Sequence, residues 1–260
     1  MMSPKSQQTS SPKKQVAKPA FLYKFSSVAH PKLPPYLPSL WCAMWLRRCV
    51  ICQQRHAYFR LICQVCQMQI PLRLAPRVIE VAGEPSLRLR LYPMSYYQYP
   101  INRIIHQFKE NEDIQALLAL IALIRTLPKP VGCHATNTAI VSIPTTQTRI
   151  RRRGFNPTDI LARHLAHHWS LPLYYGVARR DGARQQRGLN RQQRLNNMQS
   201  EFWVSDAKLP CQQLIIFDDV VTTGATLTQM ASCLKAEFPS VKLMAVCLAH
   251  GSIEFGLPYL

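Results

Sequence analysis

Residues 214–227 have the sequence LIIFDDVVTTGATL, and no other segment of the chain is as informative. Its apolar first half is typical of a buried strand, and two carboxylates, Asp218 and Asp219, follow at the carboxyl end of that strand. A turn rich in Thr and Gly comes next, and a helix is predicted from Ala225 onward. Ligands of open α/β sheets bind at the carboxyl ends of strands, and the free N–H groups that begin a helix attract anions. The stretch therefore predicts a site for a ligand that carries a phosphate together with sugar hydroxyls or Mg²⁺.

Strands and helices alternate on both sides of this stretch. The predicted strands are residues 139–143, 173–177, 213–217 and 241–248, and the predicted helices are residues 101–108, 111–123, 156–169 and 225–238. Such alternation is typical of βαβ units, so the predicted fold is α/β with a mostly parallel sheet flanked by helices. Prolines punctuate residues 71–93, and there they predict irregular structure or short edge strands.

The charge of the chain favours polyanionic partners. There are 32 Lys and Arg against 13 Asp and Glu, which gives a formal net charge of +19. Nucleic acid and phosphate-rich substrates are the partners that such an excess attracts. The longest apolar run falls within residues 114–124 and is well short of the ~20 residues of a membrane span. With no secretory signal in the N-terminal residues, these features predict a cytoplasmic protein without a membrane span.

Composition also predicts three parts of the chain. Residues 1–35 have six Lys, no acidic residue and several Ser, Gln and Pro, so they cannot bury enough apolar surface to order themselves. We expect a disordered basic arm there. Residues 36–75 contain paired cysteines and predict a small metal ribbon, and residues 76–260 contain the alternating strands and helices.

Four of the nine cysteines form two Cys-x2-Cys pairs, Cys49 with Cys52 and Cys63 with Cys66. Paired knuckles in a chain without an export signal indicate metal thiolates in a reducing compartment. Four sulfur ligands suit a closed, tetrahedral structural Zn²⁺ site. Metal binding would provide most of the folding energy of a segment with so little apolar content. Disulfides, or four unrelated core cysteines, are the alternatives.

The stretch at 214–227 resembles the signature with which type I phosphoribosyltransferases bind 5-phosphoribosyl-1-pyrophosphate (PRPP). The resemblance implies that Asp218 and Asp219 are the catalytic pair and hold the ribose 2′ and 3′ hydroxyls. It also implies Mg²⁺ as the companion of PRPP. The residues that it places around the 5′-phosphate are Val221, Thr222, Thr223, Gly224, Ala225 and Thr226.

Further motifs resemble the ComF/GntX family of competence-associated, phosphoribosyltransferase-like proteins with an N-terminal zinc ribbon. These motifs are the two cysteine pairs, Val141–Pro144, Arg149, Arg152–Asn156, Gln186 with Leu189, and Arg194 with Asn197. One departure is Ala183, where the family has a threonine. The resemblance implies that a loop with Pro144, Thr145 and Thr146 meets pyrophosphate, and that Arg149 and Arg153 contact phosphate. Residues 179–194 resemble the mobile loop that closes over PRPP, and a nucleic-acid-binding flap is the alternative.

The function that the resemblance implies is DNA uptake in natural competence by a PRPP-binding protein. Single-stranded DNA and competence or recombination proteins are the implied partners. A phosphoribosyltransferase of nucleobase or nucleotide salvage and a non-catalytic adaptor for single-stranded DNA both stay open, since no sequence feature identifies an acceptor or an oligomeric state. Lys109 lies where the family has a lysine, and a ligand role or a basic-surface role is equally open. We interpret His164, His167 and His168 as a solvated helix face rather than a second metal site.

Overall fold

The structure, a computed structural model, describes residues 48–55, 61–72, 74–80, 87–181, 201–206, 208–209 and 211–251. The predicted basic arm and residues 182–200, which include most of the predicted closing loop, lie outside the described residues. The helices are α1 (Gln64–Met68), α2 (Ile101–Asn111), α3 (Ile114–Ile124), α4 (Gln147–Arg153), α5 (Pro157–Trp169) and α6 (Ala225–Glu237). The strands are β1 (Arg77–Glu80), β2 (Arg88–Tyr96), β3 (Thr138–Ser142), β4 (Val177–Arg179), β5 (Phe202–Val204), β6 (Gln213–Val221) and β7 (Lys242–His250).

The central sheet has the strand order β1-β2-β7-β6-β3. Strand β1 pairs antiparallel with β2, and the other three pairings are parallel. The carboxyl ends of β2, β7, β6 and β3 therefore meet at one edge of the sheet. This arrangement confirms the predicted α/β fold with a mostly parallel sheet. Among the described helices, none has the length and apolar character needed to cross a membrane.

Both faces of the sheet are covered, because side chains alternate along each strand. Ile215 and Phe217 of β6 lie in the hydrophobic cluster that contains the buried residues of α2, α3 and α5. Leu214 and Ile216 point to the other face, where they share a cluster with α6 and with Phe202 of β5. The buried run Leu214–Phe217 thus reads as continuously apolar, as expected for a strand covered on both faces.

The segment with the paired cysteines belongs to the α2 side of this core. Cys49, Val50, Ile51, Ile62, Cys66 and Ile70 are buried in the same cluster as Ile101, Ile104, Ile105 and Phe108 of α2. The segment for which metal binding was expected to provide most of the folding energy therefore also has apolar neighbours from the sheet domain. The domain boundary near residue 75 stays a prediction from composition.

The interpretation of the proline-rich region needs correction for β2. Residues 88–96 form a nine-residue strand, second in the sheet, that contains Pro93. β1 pairs with Arg88–Leu91 only, so at Pro93 the strand has one neighbour, β7. A strand tolerates proline where one of its sides has no partner, which explains why Pro93 does not end β2.

The predicted strand at 173–177 is wrong in its length. Leu173 forms a single bridge with Ile140 of β3, through hydrogen bonds from Ile140 N to Pro172 O (2.8 Å) and from Tyr174 N to Ile140 O (2.8 Å). Pro172 has no N–H to donate, so the ladder does not extend on the amino side of Leu173. The chain continues into β4, which pairs antiparallel with β5 in a separate two-stranded ribbon.

Candidate functional site

A cavity of about 260 Å³ lies at the carboxyl ends of β3 and β6, where the sequence predicts a ligand site. Its lining residues are Lys109, Ile143, Pro144, Thr145, Arg149, Arg153, Asn156, Pro157, Thr158, Arg179, Asp218, Asp219, Val220 and Thr226. Four cations and two carboxylates therefore face the same space. The ends of two parallel strands bring them together although they are far apart in the sequence.

Asp219 is held by two side chains from different helices. Its carboxylate is 3% exposed, and its Oδ1 accepts a hydrogen bond from Lys109 Nζ at 2.7 Å. Its Oδ2 accepts from Thr158 Oγ1 at 3.0 Å. A buried carboxylate needs such partners, because an unpaired charge away from water is costly. Lys109 thus contacts Asp219 directly and lines the cavity. Thr158 was not anticipated from the sequence.

Asp218 has a different environment from its neighbour. Burial raises the pKa of Asp218 to about 8, and the negative charge of Asp219 adds to this effect. Lys109, the N–H of Asp219 and Arg179 oppose it. That N–H donates to Asp218 Oδ1 at 2.9 Å. Asp218 therefore holds a proton near neutral pH unless a ligand brings a positive charge or hydrogen-bond donors to it.

The turn after β6 needs glycine at position 224. Gly224 has φ +79°, which side chains rarely adopt, and a Cβ there would lie 3.0 Å from Ile79 Cδ1. The turn leads into α6, and Thr223 Oγ1 accepts a hydrogen bond from Ala225 N at 3.4 Å. Of the predicted phosphate-binding residues, Thr226 lines the cavity and Val221 has its side chain in the core. Thr222, Thr223 and Ala225 are exposed beside the cavity.

The predicted pyrophosphate loop leads into a helix rather than into a longer basic loop. Pro144 and Thr145 line the cavity, and Thr146 caps α4 by accepting a hydrogen bond from Arg149 N at 3.3 Å. Arginines that are close together in the sequence lie on different sides of this helix. Arg149 and Arg153 line the cavity, whereas the exposed Arg151 and Arg152 do not.

Two further polar side chains in the cavity were missed as site residues. Asn156 was predicted as the cap of α5, and it does precede the helix, but its side chain makes no capping bond. Its Oδ1 is instead buried and has no hydrogen-bond partner among the described residues. Arg179 donates from Nε and Nη2 to Glu201 Oε1, at 2.8 and 2.5 Å, and its Nη1 lies 3.5 Å from Pro144 O. The sequence placed Asn156 in a family motif and Arg179 at the start of the predicted closing loop, but it assigned neither side chain to the ligand site.

The four paired cysteines form a second site. Their sulfur atoms all lie within 4.8 Å of one another, and Cys52 Sγ and Cys63 Sγ are 3.8 Å apart. A tetrahedron with metal–sulfur bonds of about 2.3 Å has edges of roughly 3.8 Å, so four thiolates of this set fit Zn²⁺. All four are free of disulfides.

Backbone N–H groups support a thiolate at Cys49. Cys49 Sγ accepts hydrogen bonds from Ile51 N and Cys63 N, each at 3.4 Å. Burial opposes ionisation, but N–H groups of Cys63, Cys52 and Ile51 outweigh it and lower the pKa of Cys49 to about 7. Burial and the neighbouring thiols raise the pKa of Cys66. A cation would relieve the repulsion among these sulfurs, and the cluster is therefore a candidate metal site.

Comparisons with known proteins identify relatives of the chain. The chain is 33% identical over 196 residues to the "DNA utilization protein YhgH" of Salmonella typhi, covering 66% of this chain and 83% of the relative. The chain belongs to the ComF/YhgH family. Another member of the family, "Competence protein F" of Haemophilus influenzae, is 28% identical over 158 residues, which are 58% of this chain and 69% of that protein.

Other comparisons add less to the ComF-family assignment. No protein-family profile matches the chain. Among solved structures, the xanthine-guanine-hypoxanthine phosphoribosyltransferase of Helicobacter pylori superposes with a TM-score of 0.35 at 14% identity, covering 55% of this chain and 86% of that one. Residues 186–197, which carry two of the motifs that suggested the ComF family, lie outside the described residues.

Proposed function

We propose that this ComF-family chain binds PRPP together with Mg²⁺ in the cavity and acts in DNA uptake during natural competence. The observation that carries the proposal is the meeting of two carboxylates and several arginines in one cavity at the ends of β3 and β6. Carboxylates accept hydrogen bonds from sugar hydroxyls, whereas arginines bind phosphate oxygens. A sugar with phosphate groups satisfies both kinds of side chain.

Each group of the cavity has a proposed role toward PRPP. Asp219, held by Lys109 and Thr158, accepts a hydrogen bond from one ribose hydroxyl. Asp218 accepts a hydrogen bond from the second ribose hydroxyl. Arg149 and Arg153 bind pyrophosphate oxygens, and the turn before α6 binds the 5′-phosphate through N–H groups. The oxygen donors of the cavity also suit Mg²⁺, which prefers carboxylate and phosphate ligands and offsets the charge of pyrophosphate when bound.

In a reaction at this site, a nitrogen of a nucleobase would form a bond to ribose C1′ as the bond from C1′ to pyrophosphate breaks. The contribution of this chain would be electrostatic, since the arginines hold the departing pyrophosphate and no nucleophilic side chain is required. Turnover and non-catalytic binding are separated by a pyrophosphate-release assay across nucleobases. Release with one base supports a salvage phosphoribosyltransferase, and binding without release supports an adaptor.

Calorimetry tests PRPP binding with a matched pair of variants. We expect saturable heat from PRPP with Mg²⁺, and a loss of about tenfold in affinity in Arg149→Gln, because one charge-assisted phosphate contact is removed. Arg151→Gln removes the same charge from the same helix but outside the cavity, so its affinity should stay within about twofold of the wild type. If millimolar PRPP gave no heat and no thermal shift, the proposal would be refuted.

Names of the relatives, which refer to DNA utilization and competence, support the DNA part of the proposal. Surface features of the chain support it as well. Arg180 lies 5.5 Å from the ring centre of the partly exposed Trp203, and Arg163 lies 5.6 Å from that of the exposed Tyr175. Such arginine–aromatic pairs can bind phosphate and stack bases. Two other aromatic residues of this region, Trp169 and Tyr174, are buried and do not offer a face to a base.

Replacing Arg151 and Arg152 together by glutamine should weaken binding of single-stranded DNA and flatten its dependence on salt. Each lost phosphate contact should reduce the slope of log affinity against log salt by about 0.7, whatever the base sequence. The control is Lys208→Gln with Lys242→Gln, which removes two charges, one of them at the amino end of β7, across the sheet from the cavity. An affinity that does not depend on salt, or an equal loss in both double variants, would contradict this binding surface.

A further inference from the structure

Two adjacent side chains in the last turn of α2 reach toward the cavity with opposite charges. Lys109 pairs with Asp219, as described above. Glu110 accepts a hydrogen bond from Arg153 Nη2 through its Oε1. One turn of a single helix thus provides partners for an acid and for an arginine that are both proposed to bind the ligand.

The pairing of Arg153 with Glu110 is incomplete. Arg153 Nε is buried and has no hydrogen-bond partner within the described part of the chain. Guanidinium groups bind oxyanions best through two parallel N–H groups, and here Glu110 uses only one of them. A buried donor without an acceptor is unfavourable, so the guanidinium can gain from a ligand that supplies the second acceptor.

The exposure of the two side chains favours exchange of Glu110 for a ligand. The Arg153 side chain is 17% exposed and lines the cavity, whereas the Glu110 side chain is 43% exposed and does not line it. The Glu110 side chain can therefore rotate into the solvent while the Arg153 side chain stays in place. A carboxylate this exposed holds its partner weakly, because water competes for both charges.

We propose that Glu110 is an internal competitor for the anion site, pairing with Arg153 until a phosphate-bearing ligand displaces it. The inference rests on the proposed function in taking the cavity as an anion site, and it adds a residue that sets the affinity of that site. Glu110 raises the dissociation constant of every anion that uses Arg153. Only a ligand with further contacts, such as hydroxyls at the acid pair, then binds at low concentration, and small phosphates are kept out.

Neutralising Glu110 should therefore strengthen anion binding. We expect Glu110→Gln to bind inorganic pyrophosphate about three- to tenfold more tightly than the wild type in calorimetry at constant ionic strength, since a neutral amide competes less well for the guanidinium. The control is Glu112→Gln, which makes the same charge change at the exposed C-cap of α2. Its affinity should stay within about twofold of the wild type.

A second background shows whether the gain acts through Arg153. In Arg153→Gln, the additional change Glu110→Gln should give no gain, because the competed group is absent. Equal affinities of the Glu110→Gln and Glu112→Gln variants, a gain that persists without Arg153, or no pyrophosphate binding by any variant would each overturn the inference. Tighter pyrophosphate binding by Glu110→Gln in a protein that does not bind PRPP would support the inference and refute the proposed function.

Discussion

Replacing Cys49 and Cys66 together by serine should leave the protein without bound metal and lower its melting temperature by roughly 10 °C. Both side chains are buried in the cluster that also contains the apolar face of α2. Loss of the metal leaves thiol or hydroxyl groups in an apolar environment and frees the cysteine segment to move away from α2. A loss of about 4 kcal/mol in the free energy of unfolding corresponds to this shift in a domain of this size.

Elemental analysis and thermal unfolding check this prediction. Freshly reduced wild-type protein should contain one zinc per chain, and the double variant none. Cys233→Ser is the control, because Cys233 lies in α6, outside the cysteine cluster, so this variant should keep its zinc and shift the melting temperature by only a few degrees. Wild-type protein without zinc, or a double variant as stable as the wild type, would contradict the prediction.

Changing Asp218 to asparagine should stabilise the protein at alkaline pH and at the same time weaken PRPP binding by at least about tenfold. Because burial raises the pKa of Asp218 to about 8, the folded protein holds a proton that an unfolded chain releases near pH 4. Between these values the folded state binds more protons, so stability falls as pH rises. Above pH 8 the wild type also has to keep a charged carboxylate buried. An asparagine has no such cost, but it cannot accept hydroxyl donors as strongly as a carboxylate.

Melting curves across pH 5 to 9 test the stability part of this prediction. The variant should melt within a degree or two of the wild type at pH 5 and several degrees above it at pH 8.5. Asp206→Asn, which changes an exposed carboxylate outside the cavity, is the matched control. A constant difference for Asp218→Asn would mean that this carboxylate is already charged at pH 5.

Local patterns in the sequence predicted most of the elements that form the cavity, although not α4. The apolar run before Asp218, the glycine at 224 and the proline after Asn156 each depend on interactions within a few residues, and β6, the turn and α5 are where they were expected. The clustering of the four cysteines was likewise visible from spacing alone. These features need no knowledge of which strands are neighbours.

Features that depend on neighbours in space were missed. Asn156 was interpreted as a helix cap, but its side chain makes no capping bond and lines the cavity at the ends of β3 and β6. Glu110 pairs with a residue more than forty positions away, and nothing near it in sequence indicates a partner. Irregular structure or short edge strands were expected around Pro93, because the sequence does not show that pairing with β1 stops at Leu91.

Both borders of the central sheet are poorly suited to strand addition by another chain. Along β3, the backbone of residues 172–174 already takes up hydrogen bonds of Ile140. At the opposite border, β1 has only four residues and carries Arg77 and Glu80 at its ends, and short, charged strands are a common protection against edge-to-edge association. We therefore expect partner proteins, or a second copy of the chain, to recognise side chains of helices and loops rather than open backbone, so that assembly leaves the sheet five strands wide.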